Sequence, residues 1–321
     1  SNGITGLGNE LITLDDTTLA VSVLNTLNSN TSGAINANSI ATLEGTGTQV
    51  DTLYNSSGIS GLGDEAITIS DIEITATLMN QVNGHTSGVI NASSLNIITG
   101  DVENINAVYA SANTTPAEIS GLGNEAVTID DTSLAVSKLN TLDNYTSGEI
   151  NAASITTLSG TTAALNTAYA SSGISGLGNE AVTISDTSLA VATLNTLDGN
   201  TSGAVNASTV TTLTGAAAAM NTAYASNGIT GLANEAITLS DTSLAVATLN
   251  TLNGNTTGVV NAATVTTLTG AAAAMNTAYT AGGNGEISNL GNEAITLDDT
   301  TLAVATLNTL DGNTSGAVNA S

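Results

Sequence analysis

Residues 182–197 read VTISDTSLAVATLNTL, and residues 208–223 read STVTTLTGAAAAMNTA. Val182-Thr183-Ile184 is β-branched and alternates apolar with polar, which predicts a short strand. Asp186 follows where a helix N-cap belongs, and Leu189, Thr193, Leu194 and Leu197 recur at helical spacing. Gly199 or Gly203 is expected to end that helix. The second segment predicts the same order: a strand over 205–212, Thr214 as cap, and an Ala-rich helix over 216–225. A loop over 226–234 leads to the next strand.

Superimposing Asn195 on Asn221 gives one coil of 26 residues, and the return to Asn250 takes 29. Neither helix persists alone at this length, so stability must come from stacking. The expectation is an α/β fold: a repeat solenoid of short parallel strands and short helices, with two β-α coils in each repeat of about 55 residues.

The repeat runs through the whole chain. A Gly-Leu-Gly-Asn-Glu tag, with small variations, places Glu10, Glu65, Glu125, Glu180, Glu235 and Glu293 at steps of 55, 60, 55, 55 and 58 residues. Asp16, Asp71, Asp131, Asp186, Asp241 and Asp299 keep the same register. So do Asn25, Asn80, Asn140, Asn195, Asn250 and Asn308, and also Tyr54, Tyr109, Tyr169, Tyr224 and Tyr279. The extra residues of the long repeats fall near Thr114-Thr115-Pro116 and Gly282-Gly283-Asn284-Gly285. One array is expected, divided near 1–55, 56–115, 116–170, 171–225, 226–283 and 284–321. Eleven coils at about 4.8 Å per step would make a rod of roughly 50 Å.

Composition narrows the function. The 321 residues carry 27 acidic side chains and one Lys or Arg, a net charge of −26. Binding nucleic acid or an anionic membrane surface needs basic side chains, and only Lys138 is on offer. No apolar run approaches the roughly 20 residues of a membrane-spanning helix. There is no Cys, Phe or Trp, so the core must be small and aliphatic. Trypsin-like cleavage is expected only after Lys138. No signal peptide is visible, the chain starts at Ser1, and neither end carries a polar cap. An excerpt of a longer chain is the favoured reading, with end-to-end docking of copies as the alternative.

No set of residues suggests catalysis. His85, the one histidine, fills the slot of Asn200 and Asn255 and reads as drift at an exposed turn. Lys138, in the slot of Thr193 and Thr248, reads as surface drift. Paired carboxyls recur in every repeat, whereas an active site is normally singular. The Asp series reads as helix caps. The doubled acids Asp15-Asp16, Asp130-Asp131 and Asp298-Asp299 are the weaker calcium candidates, because they lack an EF-hand or GGxGxD pattern. No other cofactor is expected. The periodic Asn residues read as an inward ladder, and the periodic Tyr as layer fillers with the hydroxyl at the rim. Sequons such as Asn30-Thr31-Ser32, Asn200-Thr201-Ser202 and Asn313-Thr314-Ser315 fall on turns.

The stretch GISGLGNEAVTISDTSLAVATLNTLDGNTSGAVNASTVTTLTG, residues 173–215, resembles the tandem repeats of giant cell-surface proteins of marine cyanobacteria, the swimming-associated kind. The resemblance covers essentially the whole chain and implies an exported, very long, acidic protein on the cell exterior. It transfers no functional residue. The expectation is thus a non-catalytic extracellular fibre, filament or surface layer. An adhesin or ligand-binding solenoid for glycans, surfaces or ice is the alternative.

Overall fold

The computed structural model describes residues 8–320; the first seven residues of the first repeat and Ser321 lie outside that range. The protein is an α/β repeat fold in which short parallel strands alternate with short helices. Its residues gather into two compact units, Ser1–Ile155 with Ser171–Leu177 and Thr156–Ala170 with Gly178–Ser321.

The first unit holds helices α1 (Val21–Asn30), α2 (Gly47–Tyr54), α3 (Ala76–His85), α4 (Val102–Ala112) and α5 (Val136–Tyr145). The second holds α6 (Thr162–Ala170), α7 (Val191–Asn200), α8 (Ala217–Ala225), α9 (Val246–Asn255), α10 (Ala272–Gly283) and α11 (Val304–Asn313). Starts at Val191, Ala217 and Val246 reproduce the 26- and 29-residue coils.

The strands follow a different step. Ser188 pairs with Thr212 and Thr212 with Ala236, each 24 residues on. Within a coil, strands start seven residues apart, at Ile174, Ala181 and Ser188. Two pairing steps of 24 therefore fall one strand spacing short of the 55-residue repeat. Each sheet slips sideways by one strand position per repeat and then ends. The second unit shows this in the sheet of Ser188–Ala190, Thr212–Gly215, Ala236–Leu239, Val260–Asn261 and Ile287–Ser288. That sheet starts on a third strand after a helix and finishes on a first. In the first unit, the sheet from Glu73–Thr75 through Ile97–Gly100, Ala126–Ile129 and Ile150–Asn151 to Ile174–Ser175 slips the same way.

Alternation decides what is buried. Val182, Ile184, Val205 and Leu213 point inward at 2% exposure or less, and Leu194, Leu197 and Met220 close over them from the helices. Each such side chain contributes about 1.5–3 kcal/mol when fully buried.

Four local expectations are corrected. Helix α7 does not begin after Asp186: Ser188–Ala190 is a third short strand, and Leu189 points inward from it. Three residues are too few to separate a period of two from one of 3.6. The stretch 205–212 is not one strand, since Val205–Asn206 and Thr212–Gly215 are separate and Thr214 lies inside the latter. The loop 226–234 contains the strand Ile229–Thr230. Neither Gly199 nor Gly203 caps α7, which runs through Gly199 and stops where Thr201 turns extended (φ −127°, ψ 145°).

Candidate functional site

The recurring polar residues meet at stations between successive coils. The most buried is built on the Glu of the Gly-Leu-Gly-Asn-Glu tag. Glu65, Glu180, Glu235 and Glu293 are fully buried and Glu125 is 2% exposed. A carboxyl in such a place must be satisfied by donors. Tyr54, Tyr169 and Tyr224, each at the C-terminal end of a helix, donate their hydroxyls to Glu65, Glu180 and Glu235 at 2.5, 2.9 and 2.7 Å. Backbone N–H groups two residues before each Glu donate as well, Gly63 to Glu65 and Gly178 to Glu180 at 2.8 and 2.9 Å. The following coil closes the far side. Thr201 Oγ1 donates to the Glu180 carbonyl at 2.7 Å and accepts from Gly203 N at 3.0 Å. Gly203 lies so close that a Cβ there would stand 2.2 Å from that carbonyl oxygen.

The phenols are therefore not at the rim, as expected from sequence, but aimed at buried acids. Burial first, and then the neighbouring carboxyls, push Tyr54, Tyr169 and Tyr224 above the ordinary phenol range, and Tyr109 and Tyr279 shift the same way. The station loosens where the repeat is long. Tyr109 and Glu125 are 16 residues apart and Tyr279 and Glu293 are 14, against 11 elsewhere. Both of these bonds lengthen to 3.1 Å, and Glu125 and Glu293 each keep one Oε1 without a partner.

A second station corrects the cap assignment. The Asp residues do cap helix N-termini, but those of the preceding coil. Asp71 accepts from Gly47 N, Asp131 from Val102 N, Asp186 from Thr162 N, Asp241 from Ala217 N and Asp299 from Ala272 N, all at 2.7–2.8 Å. Helices α8 and α10 begin after Ala216 and Ala271, which have no capping side chain, so a donor near each helix start is met from the next coil. This function occupies Asp131 and Asp299 among the calcium candidates; Asp15, Asp16, Asp130 and Asp298 are exposed. Among the described residues no group of three or more His, Asp or Glu side chains is placed to hold a metal ion.

The third station is the Asn ladder. Asn25, Asn80, Asn195 and Asn250 donate to the carbonyls of Gln49, Asn104, Ala219 and Ala274 on the next helix, at 2.9–3.0 Å. Asn140 holds the same place in α5, and Asn308 the same place in α11, where it is exposed. The sequence reading missed that the alternate helices continue the ladder: Asn106, Asn166 and Asn221 donate to the carbonyls of Lys138, Thr193 and Thr248.

His85 is not at an exposed turn, whereas Lys138 lies on the exposed surface of a helix as expected. His85 closes α3, with Nε2 2.9 Å from Asp51 Oδ1 and its ring stacked on Tyr54 at 5.0 Å. The same slots elsewhere hold two amides, Asn200 with Asn166 and Asn255 with Asn221. Tyr145, in the His85 slot of the third repeat, stacks on Tyr109 at 6.1 Å. Lys138 pairs with Glu103, whose counterparts Ala163, Ala218 and Ala273 are uncharged; that carboxyl raises the lysine's pKa. Each basic residue thus faces an acid that departs from the repeat at the contacting position. That coupling between two deviations was the readable signal.

No family model matches this chain, and no curated protein matches it either. Among the described residues no helix is long and apolar enough to cross a membrane.

Proposed function

We propose that this chain is a non-catalytic structural segment of an extracellular repeat protein, part of an elongated fibre, filament or surface layer. One observation supports this above the rest. The carboxyl, phenol and amide groups from which a site would be built recur in repeat after repeat, and each engages the neighbouring coil. Glu180, buried under Tyr169 and Thr201, is the type example. The net charge of −26 keeps such a surface soluble and self-repelling. The sequence resemblance supports placing it on the cell exterior.

Electron microscopy of the purified chain, with and without millimolar calcium, tests this. Elongated particles are expected. Long fibres would assign growth to end-to-end docking, and short rods to the covalent chain. Globular particles under both conditions would contradict the reading.

A second reading, contact with a glycan, an ice face or another ordered surface, draws on the sheets. Ala190, Thr214, Thr238, Asn261 and Ser288 stand in register down one sheet of the second unit, none of them buried. Such a column presents hydroxyls and amides at a strand spacing of about 4.8 Å. Inhibition of ice-crystal growth, or retention on an insoluble polysaccharide, that is lost with Thr238→Val and Thr214→Val would favour it.

A further inference from the structure

One station holds two phenols. Tyr145 is the one tyrosine of six outside the periodic register, and it stands in the slot of Asn200 and Asn255. Those amides donate to Asn166 and Asn221 at 3.0 Å. Tyr145 takes the place of that donor, and Asn106 Oδ1, the counterpart acceptor, is buried without a partner. The position holds a ring pair instead. Tyr145 and Tyr109 stack with centroids 6.1 Å apart and planes 14° apart, joining the last turns of α5 and α4.

The two rings differ in access. Tyr109 is 1% exposed and donates its hydroxyl to Glu125, whose Oε1 is buried without a partner. Tyr145 is half-buried at the last residue of α5. A phenol gives up an electron more readily when its proton has an acceptor within reach, and Glu125 supplies one. The chain has no Cys or Trp to divert a one-electron oxidant.

We propose that Tyr109 and Tyr145 are an oxidative cross-linking site, converted by a peroxide-driven one-electron oxidant to a dityrosine that ties α4 covalently to α5. Each phenol loses one electron and one proton, and the two radicals join through ring carbons ortho to their hydroxyls. The hydrogens on those carbons then move to the oxygens, which restores both phenols. One hydrogen peroxide is reduced to two waters while the chain loses two hydrogens. Tyr145 meets the oxidant, and Tyr109, sealed by protein, is reached through it. Such a link goes beyond the hydrogen-bonded stacking described above, because it holds successive coils together even when their polar contacts open.

Lys138 lies between the two tyrosines and is the only Lys or Arg of the chain, which supplies the readout. The folded chain, dilute, is treated with a haem peroxidase and hydrogen peroxide, then denatured and cut with trypsin. Unlinked chains separate into 1–138 and 139–321 in denaturing electrophoresis; linked ones stay joined and show dityrosine fluorescence. Tyr145→Asn restores the residue of the other repeats and should fold. It should lower the joined fraction about tenfold or more, as should unfolding the unaltered chain in urea before oxidation, because each removes the held proximity of the rings. Tyr109→Phe, which keeps the ring and removes the phenol, should do the same. Complete separation of the fragments from the unaltered chain, or equal joining in that chain and in Tyr145→Asn, would overturn the proposal.

Discussion

Tyr169 lies near the end of α6, Glu180 between the strands Ile174–Ser175 and Ala181–Ile184, and the 2.9 Å bond between them joins a phenol to a fully buried carboxyl. The same bond recurs in both units, and what lies around it sets the consequences of substitution.

Removing the carboxyl orphans its donors. Glu180→Ala leaves the Tyr169 hydroxyl and Gly178 N without an acceptor inside the core, and should lower stability by about 3 kcal/mol. Glu180→Gln, which keeps an acceptor and the volume, should cost less than half of that. Glu125→Gln should cost less again, because Glu125 already holds an unpartnered oxygen. Chemical denaturation of the three variants checks the order.

The two glycines after Leu197 should respond in opposite directions. Gly199 lies inside α7 with open space where a Cβ would go, so Gly199→Ala should stabilise by up to about 1 kcal/mol. At Gly203 the added carbon meets the Glu180 carbonyl, and Gly203→Ala should destabilise by about 2 kcal/mol or more. Thermal unfolding of the pair reads both signs.

Capping from the next coil predicts a contrast among the aspartates. Asp241→Ala should cost about 1 kcal/mol by exposing the start of α8, 24 residues earlier. Asp186→Ala should cost somewhat more, since Asp186 also accepts from Thr162 Oγ1. Asp16→Ala, at an exposed residue of the first described coil, should stay within about 0.5 kcal/mol. Hydrogen exchange at the first amides of α8 should rise in the Asp241 variant and not in the Asp16 one.

Much of this was legible in advance. The 55-residue period, the 26- and 29-residue coils and the α/β alternation follow from the recurrence of Asn195, Asn221 and Asn250. What was not legible was which coil each side chain serves. Asp186 precedes α7 in the chain and so reads as its cap, yet the coils stack so that its carboxyl lies against α6. The tyrosines carry apolar rings and so read as filler. Only the depth of the tag glutamate shows that their hydroxyls point inward.

The phenol shifts give a pH dependence with a definite sign. Each half-buried station tyrosine has a folded pKa raised above its unfolded value of about 10, so its contribution is intact below that pH. Above it the unfolded chain loses phenol protons that the folded chain keeps. Stability should fall as the pH rises above about 10, with solvent screening holding the loss for each half-buried phenol well under the ~1.4 kcal/mol per pH unit of a fully protected group. Phenolate absorbance of the folded protein should lag behind that of the denatured chain; coincident titrations would contradict this.

The most direct test is a double-mutant cycle on Tyr169→Phe and Glu180→Gln, measured by urea denaturation. If the phenol–carboxyl bond joins the coils as described, the double variant will be more stable than the sum of the two losses by about 1 kcal/mol or more. Strictly additive losses would mean that the two side chains do not act on each other, and would contradict the account of how the coils are held together.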